Sequence, residues 1–140
     1  MLKDNISYLL DKYPRSIDLS LLRMDEVLRK LGSPHLKLPP VVHIGGTNGK
    51  GSVAAMLFSI QKAAGKKIHL YTSPHLINVN ERIRLAGLDV DDESLLYALR
   101  EVDKFNGNNN LTHFEVLTAA AFLLFSQIKA DLTILEVGLG

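Results

Sequence analysis

The sequence predicts an α/β protein: a P-loop-type, mostly parallel sheet with helices on both faces. Three observations carry this. The apolar run Val41-Val42-His43-Ile44 leads through Gly45-Gly46-Thr47-Asn48-Gly49-Lys50-Gly51-Ser52 into an apolar segment of helical character, Val53 to Ala64. Strand, glycine-rich turn and helix, in that order, is the context a phosphate-binding loop requires. Beyond a stop at Gly65, Ile68-His69-Leu70-Tyr71-Thr72 runs continuously apolar rather than alternating, as a strand covered on both faces does. Strand, helix and strand make one βαβ unit, whose crossover is almost always right-handed. Leu132 to Val137 adds a further strand behind a long helical segment.

Each element has a local reason. Ile6, Leu9, Leu10 and Tyr13 recur at helical spacing, and Pro14 ends that helix. A second helix is predicted from about Ser20 to Leu31, with Leu21, Met24, Val27, Leu28 and Leu31 on one face. Asp18 or Ser20 caps its start, and Gly32 and Pro34 mark its end. Residues 35–40 form a linker, and Pro39-Pro40 forces extension just before the first strand. After the second strand comes Ser73-Pro74-His75-Leu76, at the carboxyl end where open α/β sheets place ligands. That puts Ser73 on the same edge as the glycine loop. Residues 77–84 read as a long functional loop, with a short strand at Ile83 to Leu85. Asp91 or Asp92 caps a helix whose face is Leu95, Leu96, Leu99 and Val102. Residues 106–110 are a polar turn. Thr112-His113-Phe114-Glu115 opens the last helix, about Phe114 to Lys129, with Phe114 in the core.

Composition narrows the functional classes. The chain has 140 residues, the size of one domain; 46% are hydrophobic and 22% charged, which supports a core and argues against disorder. With 16 basic and 15 acidic residues the net charge is +1, so there is no electrostatic case for a nucleic-acid partner. Cysteine is absent, which excludes disulfides and thiolate metal sites and fits a reducing, cytoplasmic compartment. The N-terminus carries acids and no long apolar stretch, unlike a signal peptide, and Leu117 to Phe125 is too short to span a bilayer. Gly138-Leu139-Gly140 stands where an α/β chain turns back into another helix. The sequence is therefore expected to be part of a longer one.

The glycine-rich stretch carries the chemistry. Gly45, Gly46, Gly49 and Gly51 let backbone N–H groups approach an anion closely. Lys50 adds a compact charge for outer phosphates, Ser52 a hydroxyl, and the following helix a positive N-terminal dipole. The spacing departs from G-x-x-x-x-G-K-[ST]: Ile44 stands five before Gly49, and Gly51 follows Lys50, so the hydroxyl comes one place later. Glycine-rich turns also join strands to helices without binding anything; this one is set apart by its Thr, Asn, Lys and Ser.

Other candidates are weighed the same way. Glu136 closes an apolar strand, where an acid is costly unless paired or metal-bound, and P-loop proteins use an acid there for Mg²⁺. A surface ion pair is the plainer alternative. Ser-Pro dipeptides commonly start turns, so Ser73 rests on its place at the edge. Thr112 and Glu115 fit a capping box, which alone would explain both. Arg82 and Arg84 could meet phosphate or carboxylate, although surface arginines are usually solvated charge. His35, His43, His69, His75 and His113 show no paired metal spacing and read as structural or surface residues; His75 alone falls near the inferred site.

Together, HIGGTNGKGS at 43–52, YTSPHL at 71–76, ERIR at 81–84, T-x-F-E at 112–115 and LEVGLG at 135–140 resemble folylpolyglutamate synthase in its bifunctional dihydrofolate synthase form. They fall in the family's order across nearly the whole chain. The wider Mur ligase superfamily usually has Thr directly after the Lys, so Gly51 favours the folate branch. The resemblance implies the N-terminal part of a Mur-ligase-like central ATPase domain over 1–140, with the C-terminal glutamate domain absent. It implies an ATP-dependent acid–amino-acid ligase that phosphorylates a pterin carboxylate and couples the acyl phosphate to L-glutamate. Thr47, Asn48, Gly49, Lys50, Gly51 and Ser52 would hold ATP, with Lys50 catalytic on the β/γ oxygens. Ser73 and Glu136 would bind Mg²⁺, with a further histidine ligand beyond Gly140. Asp18, Leu19, Ser20 and Leu21, together with Thr112, His113, Phe114 and Glu115, would line the site for dihydropteroate or folate, and Arg82 would sit on a flexible loop over it. The implied partners are these small molecules, with no nucleic acid and no membrane, on a protein monomeric at full length. The 140-residue piece alone is expected not to ligate. A stand-alone nucleotide-binding module and a small-molecule P-loop kinase are the competing readings; glutamate dependence of ADP release separates the kinase.

Overall fold

In the computed structural model the described residues are 2–15, 22–45, 50–72, 78–107 and 110–136, with backbone alone at 50 and 51. In chain order the elements are α1 (Leu2–Asp11), α2 (Leu22–Lys30), β1 (Val41–Ile44), α3 (Lys50–Ala63), β2 (Ile68–Tyr71), β3 (Ile83–Leu85), β4 (Leu88–Asp89), α4 (Asp92–Asn106), α5 (His113–Gln127) and β5 (Leu132–Glu136), with 3-10 turns at Pro34–Leu36 and Val79–Arg82. They divide into two units, Met1–Lys37 with Asp91–Ser126 and Leu38–Val90 with Gln127–Gly140.

The first unit is helical. The apolar spacing of α1 buries Ile6, Leu9 and Leu10, and α4 buries Leu95, Leu96, Leu99 and Val102. Full burial of one such side chain contributes about 1.5–3 kcal/mol. Lys3 meets Asp92 at 3.0 Å and Lys12 meets Asp103 at 3.1 Å, so α1 and α4 lie side by side and run the same way. Asp91 caps α4, its Oδ1 accepting from the Ser94 N–H at 2.7 Å. Asn106 belongs to α4 and is buried, rather than opening a polar turn; the turn starts at Gly107, whose φ of 62° ends the helix. Phe114 is not a core residue: it is 40% exposed. It heads the less buried stripe 114, 118, 122, 126 of α5, whose i, i+4 spacing keeps these residues on one side of the helix.

The second unit is a five-stranded sheet in the order β1-β5-β2-β3-β4. β1, β5 and β2 are parallel, whereas β2–β3 and β3–β4 are antiparallel, so a hairpin extends the expected parallel core into a mixed sheet. Ala86 and Gly87 turn that hairpin with φ of 51° and 100°. All of β2 is buried. On one face Ile44, Ile68, Leu70 and Ile134 pack with Ala54 and Phe58 of α3. On the other, His69 is fully buried; its Nδ1 accepts from the Ala86 N–H at 3.0 Å, and its Nε2 lies 2.8 Å from the Ile128 carbonyl. This is a structural histidine that ties the hairpin turn to the chain after α5. α3 begins at Lys50, three residues before the apolar run. The first-turn N–H groups of a helix have no intrahelical partner, so the sequence Lys50-Gly51-Ser52 is tolerated there. Among the described residues no helix is long and apolar enough to cross a membrane.

Candidate functional site

The parallel registers bring the carboxyl ends of three strands, each followed in sequence by one of the motifs, to one sheet edge. Ile44 pairs with Glu136 and Tyr71 with Leu135, so β1, β5 and β2 end nearly level. The glycine loop follows β1, Ser73 follows β2 by way of Thr72, and Gly138-Leu139-Gly140 follows β5. β5 is the middle strand, so Glu136 stands between the other two. With strands ~4.8 Å apart, the ends of β1 and β2 are roughly 10 Å from each other across it. Thr47, Asn48, Gly49 and Ser73 lie outside the described residues.

Glu136 is 8% exposed. Leu132 and Ile134 pack in the α3 cluster, and strand side chains alternate, so Glu136 shares the face on which α3 lies. The edge thus combines a helix N-terminus at Lys50, the adjacent Ser52 hydroxyl, exposed in the first turn, and a buried carboxylate. This donor set fits a magnesium nucleotide. Mg²⁺ is typically held by one or two carboxylates plus phosphate oxygens, and helix N-termini favour phosphate. Among the described residues no group of three or more acidic, His or Cys side chains could hold a metal without such help.

Arg82 is not in a free loop. It ends the 3-10 turn Val79–Arg82, and its carbonyl accepts from the Thr72 N–H at 2.9 Å, which continues the β2–β3 ladder to the residue before Ser73. The turn is capped: the Asn78 N–H donates to Glu81 Oε2 at 3.1 Å, and Asn80 Nδ2 donates to the Val90 carbonyl at 2.7 Å. Arg84 lies over the Phe58 ring, 4.9 Å from its centre, and meets Asp89 at 3.1 Å, both structural contacts.

In the first unit the T-x-F-E stretch forms the capping box its spacing predicts. The Thr112 N–H donates to Glu115 Oε1 at 2.9 Å, and the Glu115 N–H donates to Thr112 Oγ1 at 3.2 Å. Two further contacts were not expected. The His113 N–H donates to the Pro14 carbonyl at 2.8 Å. Arg23 Nη2 lies 2.9 Å from both Glu115 oxygens, in an ion pair whose side chains are 17% and 9% exposed. Asp18, Leu19, Ser20 and Leu21 lie outside the described residues. Pro14 and Arg23, described residues that flank that stretch in sequence, are both bonded to the first turn of α5. No local pattern in the sequence announces Arg23, because its partner lies 92 positions away.

No family model matches the chain. Among curated proteins it is similar to the dihydrofolate synthase/folylpolyglutamate synthase of Buchnera aphidicola subsp. Schizaphis graminum, 41% identical over 131 residues, 94% of this chain and 31% of that protein. Among solved structures it is similar to E. coli FolC in complex with DHPP and ADP, with a TM-score of 0.87 and 40% identity over 99% of this chain and 33% of that one. A bifunctional folylpolyglutamate synthase/dihydrofolate synthase with Mn, AMPPNP and L-glutamate bound follows at a TM-score of 0.83 and 35% identity, over 99% of this chain and 33% of that one. The chain spans about a third of the length of the curated relatives it matches.

Proposed function

Because the chain belongs, over the span it shares with them, to the dihydrofolate synthase/folylpolyglutamate synthase family, we propose that it carries the nucleotide site and part of the pterin site of an ATP-dependent ligase. The reaction joins L-glutamate to dihydropteroate or a folate. On this reading the chain is the N-terminal part of the ATP-binding domain, and the glutamate domain belongs to the remainder of a cytoplasmic, monomeric protein. The observation that carries the proposal is the Ile44–Glu136 register, which sets an acid beside the strand that enters the glycine loop, on the face of the helix that leaves it.

A carboxylate is a poor acyl donor because its oxygen leaves badly. Bound ATP with Mg²⁺ supplies the phosphoryl group that converts it to an acyl phosphate, which the glutamate amine then attacks, releasing phosphate. The chain's own part is positioning and charge. The residues Thr47 to Ser52 and the α3 N-terminus hold the phosphates, and Lys50 stabilises the charge that grows on the β and γ oxygens. Ser73 and Glu136 hold the metal, and the stretches 18–21 and 112–115 hold the pterin, with Arg82 beside Thr72 near the metal edge.

The test uses the longest natural reading frame that contains these residues. ADP release should require both the pterin acid and L-glutamate. Lys50→Ala should abolish turnover, and Glu136→Gln should lower it while raising the Mg²⁺ concentration needed for half-maximal rate. Unchanged kinetics in both variants would remove this edge from the mechanism. Glutamate-independent ADP release with a stable phosphorylated product would make the protein a kinase.

A further inference from the structure

We propose that His69 is an acid-sensitive clasp on the β3–β4 hairpin. A second proton on its ring has to displace the Ala86 N–H and release the turn. The clasp works whatever the sheet edge binds.

His69 is fully buried, on the face of the sheet opposite α3. Its Nδ1 accepts from the Ala86 N–H at 3.0 Å, so that nitrogen carries no proton. In the neutral ring the proton is then on Nε2, which donates to the Ile128 carbonyl at 2.8 Å. Both ring nitrogens are committed, and the ring is held in one tautomer. An imidazolium has two N–H donors and no acceptor. Protonation would set Nδ1–H against the Ala86 N–H, donor against donor, and place a charge where there is no water. The acids of the described strands do not offset that charge. Glu136 and Asp89 both lie on the α3 face, Asp89 against Arg84 at 3.1 Å. The titratable groups of the strands that share the face of His69 are Tyr71, buried, and His43, exposed on β1 two strands away. Lys129 and Asp131, which follow Ile128, are exposed, and Asp131 Oδ2 accepts from the Lys67 N–H at 2.8 Å. The turn that the clasp holds is strained: Ala86 sits at a φ of 51°, which a residue with a Cβ adopts reluctantly. β3 has three residues and β4 two, so one added bond is a large share of what closes the hairpin. Opening removes the antiparallel neighbour of β2 and makes that buried apolar strand the edge of the sheet.

A histidine freed into water takes its second proton near pH 6.5. Below that pH the open hairpin therefore binds one proton more than the closed one. The hairpin is most secure above about pH 6.5, and its opening gains about tenfold for each pH unit well below it. Amide hydrogen exchange on the longest natural reading frame containing this chain reads the effect. Corrected for the intrinsic rate, protection of the 83–90 amides should fall about thirtyfold between pH 7.5 and pH 5, while 132–136 keeps its protection. His69→Asn retains an oxygen that can accept from Ala86 but takes no proton; its protection should be lower at neutral pH and flat across that range. Ala86→Gly relieves the strained backbone, so it should raise protection at neutral pH and keep the acid loss, because strain sets the level and the proton sets the slope. Nitrogen NMR shifts of the His69 ring in the parent protein should show Nε2 bearing the proton at pH 7.5. A proton on Nδ1 instead, or protection of 83–90 that is flat in the parent, would overturn the clasp without needing any variant to fold. An acid loss in His69→Asn as large as the parent's would overturn it too, by assigning the proton to Asp89, His43 or another group.

Discussion

The Arg23–Glu115 pair permits a quantitative test of the first unit. Glu115→Gln keeps the shape and an oxygen for the Thr112 N–H but removes the charge that Arg23 meets at 2.9 Å. A hydrogen bond to a charged group contributes about 1.5–3 kcal/mol, and stripping one partner from a buried pair costs about 3–5 kcal/mol. These side chains keep 17% and 9% of their exposure, so water relieves part of the penalty and about 2–3 kcal/mol is the expected loss. For a chain of this length that is a melting-temperature drop of roughly 7–10 °C. Arg23→Met should cost a similar amount, because it leaves the carboxylate without its cation. The double variant removes both charges, so its loss should fall short of the sum by about 2 kcal/mol. Urea unfolding of the parent, both single variants and the double variant measures this coupling directly, provided the denaturant slope stays constant. A coupling below about 0.5 kcal/mol, the range in which independent sites add, would refute the pairing as a stabilising contact.

Two further outcomes are expected. Burial, then the hydrogen bond to Asp103 and its charge, hold the Tyr13 hydroxyl well above the ordinary tyrosine range, while a hydrogen bond with Asn106 pulls the other way. The unfolded chain therefore loses this proton first: the stability Tyr13 contributes is complete below about pH 10 and falls above it by up to about 1.4 kcal/mol per pH unit, and an equally steep alkaline loss in Tyr13→Phe would assign it to other groups. Asp91→Ala should destabilise by about 1 kcal/mol by orphaning the Ser94 N–H, with Asp91→Ser close to the parent; equal losses in both would mean the cap is not the cause.

Much of this architecture was legible because it is local. Period-3.6 patterns located α1, α2, α4 and α5, and the uninterrupted apolar runs located β1, β2 and β5, each within a few residues of the observed ends. The capping box at Thr112 and the cap at Asp91 are contacts between residues three apart, so spacing alone could announce them. The short strand at 83–85 was expected, but not its β4 partner. β4 holds Leu88 and Asp89 alone, too short to show a period, and its turn places the non-glycine Ala86 at positive φ. Phe114 was misplaced because hydrophobicity says how much a side chain gains from burial, not which side of its helix faces the core.

The sequence by itself determined the order of strands and helices, the glycine-rich stretch between β1 and α3, and an acid at the end of β5, since each depends on neighbours along the chain. Only the tertiary structure decided that β5 enters between β1 and β2, which sets Glu136 beside Ile44 at the end of β1, and that Arg23 reaches Glu115 across 92 positions. Strand order and ion pairing join residues far apart in the chain. Their choice rests on which packing buries the most surface and leaves the fewest charges unmatched, a property of the folded whole that no window of sequence contains.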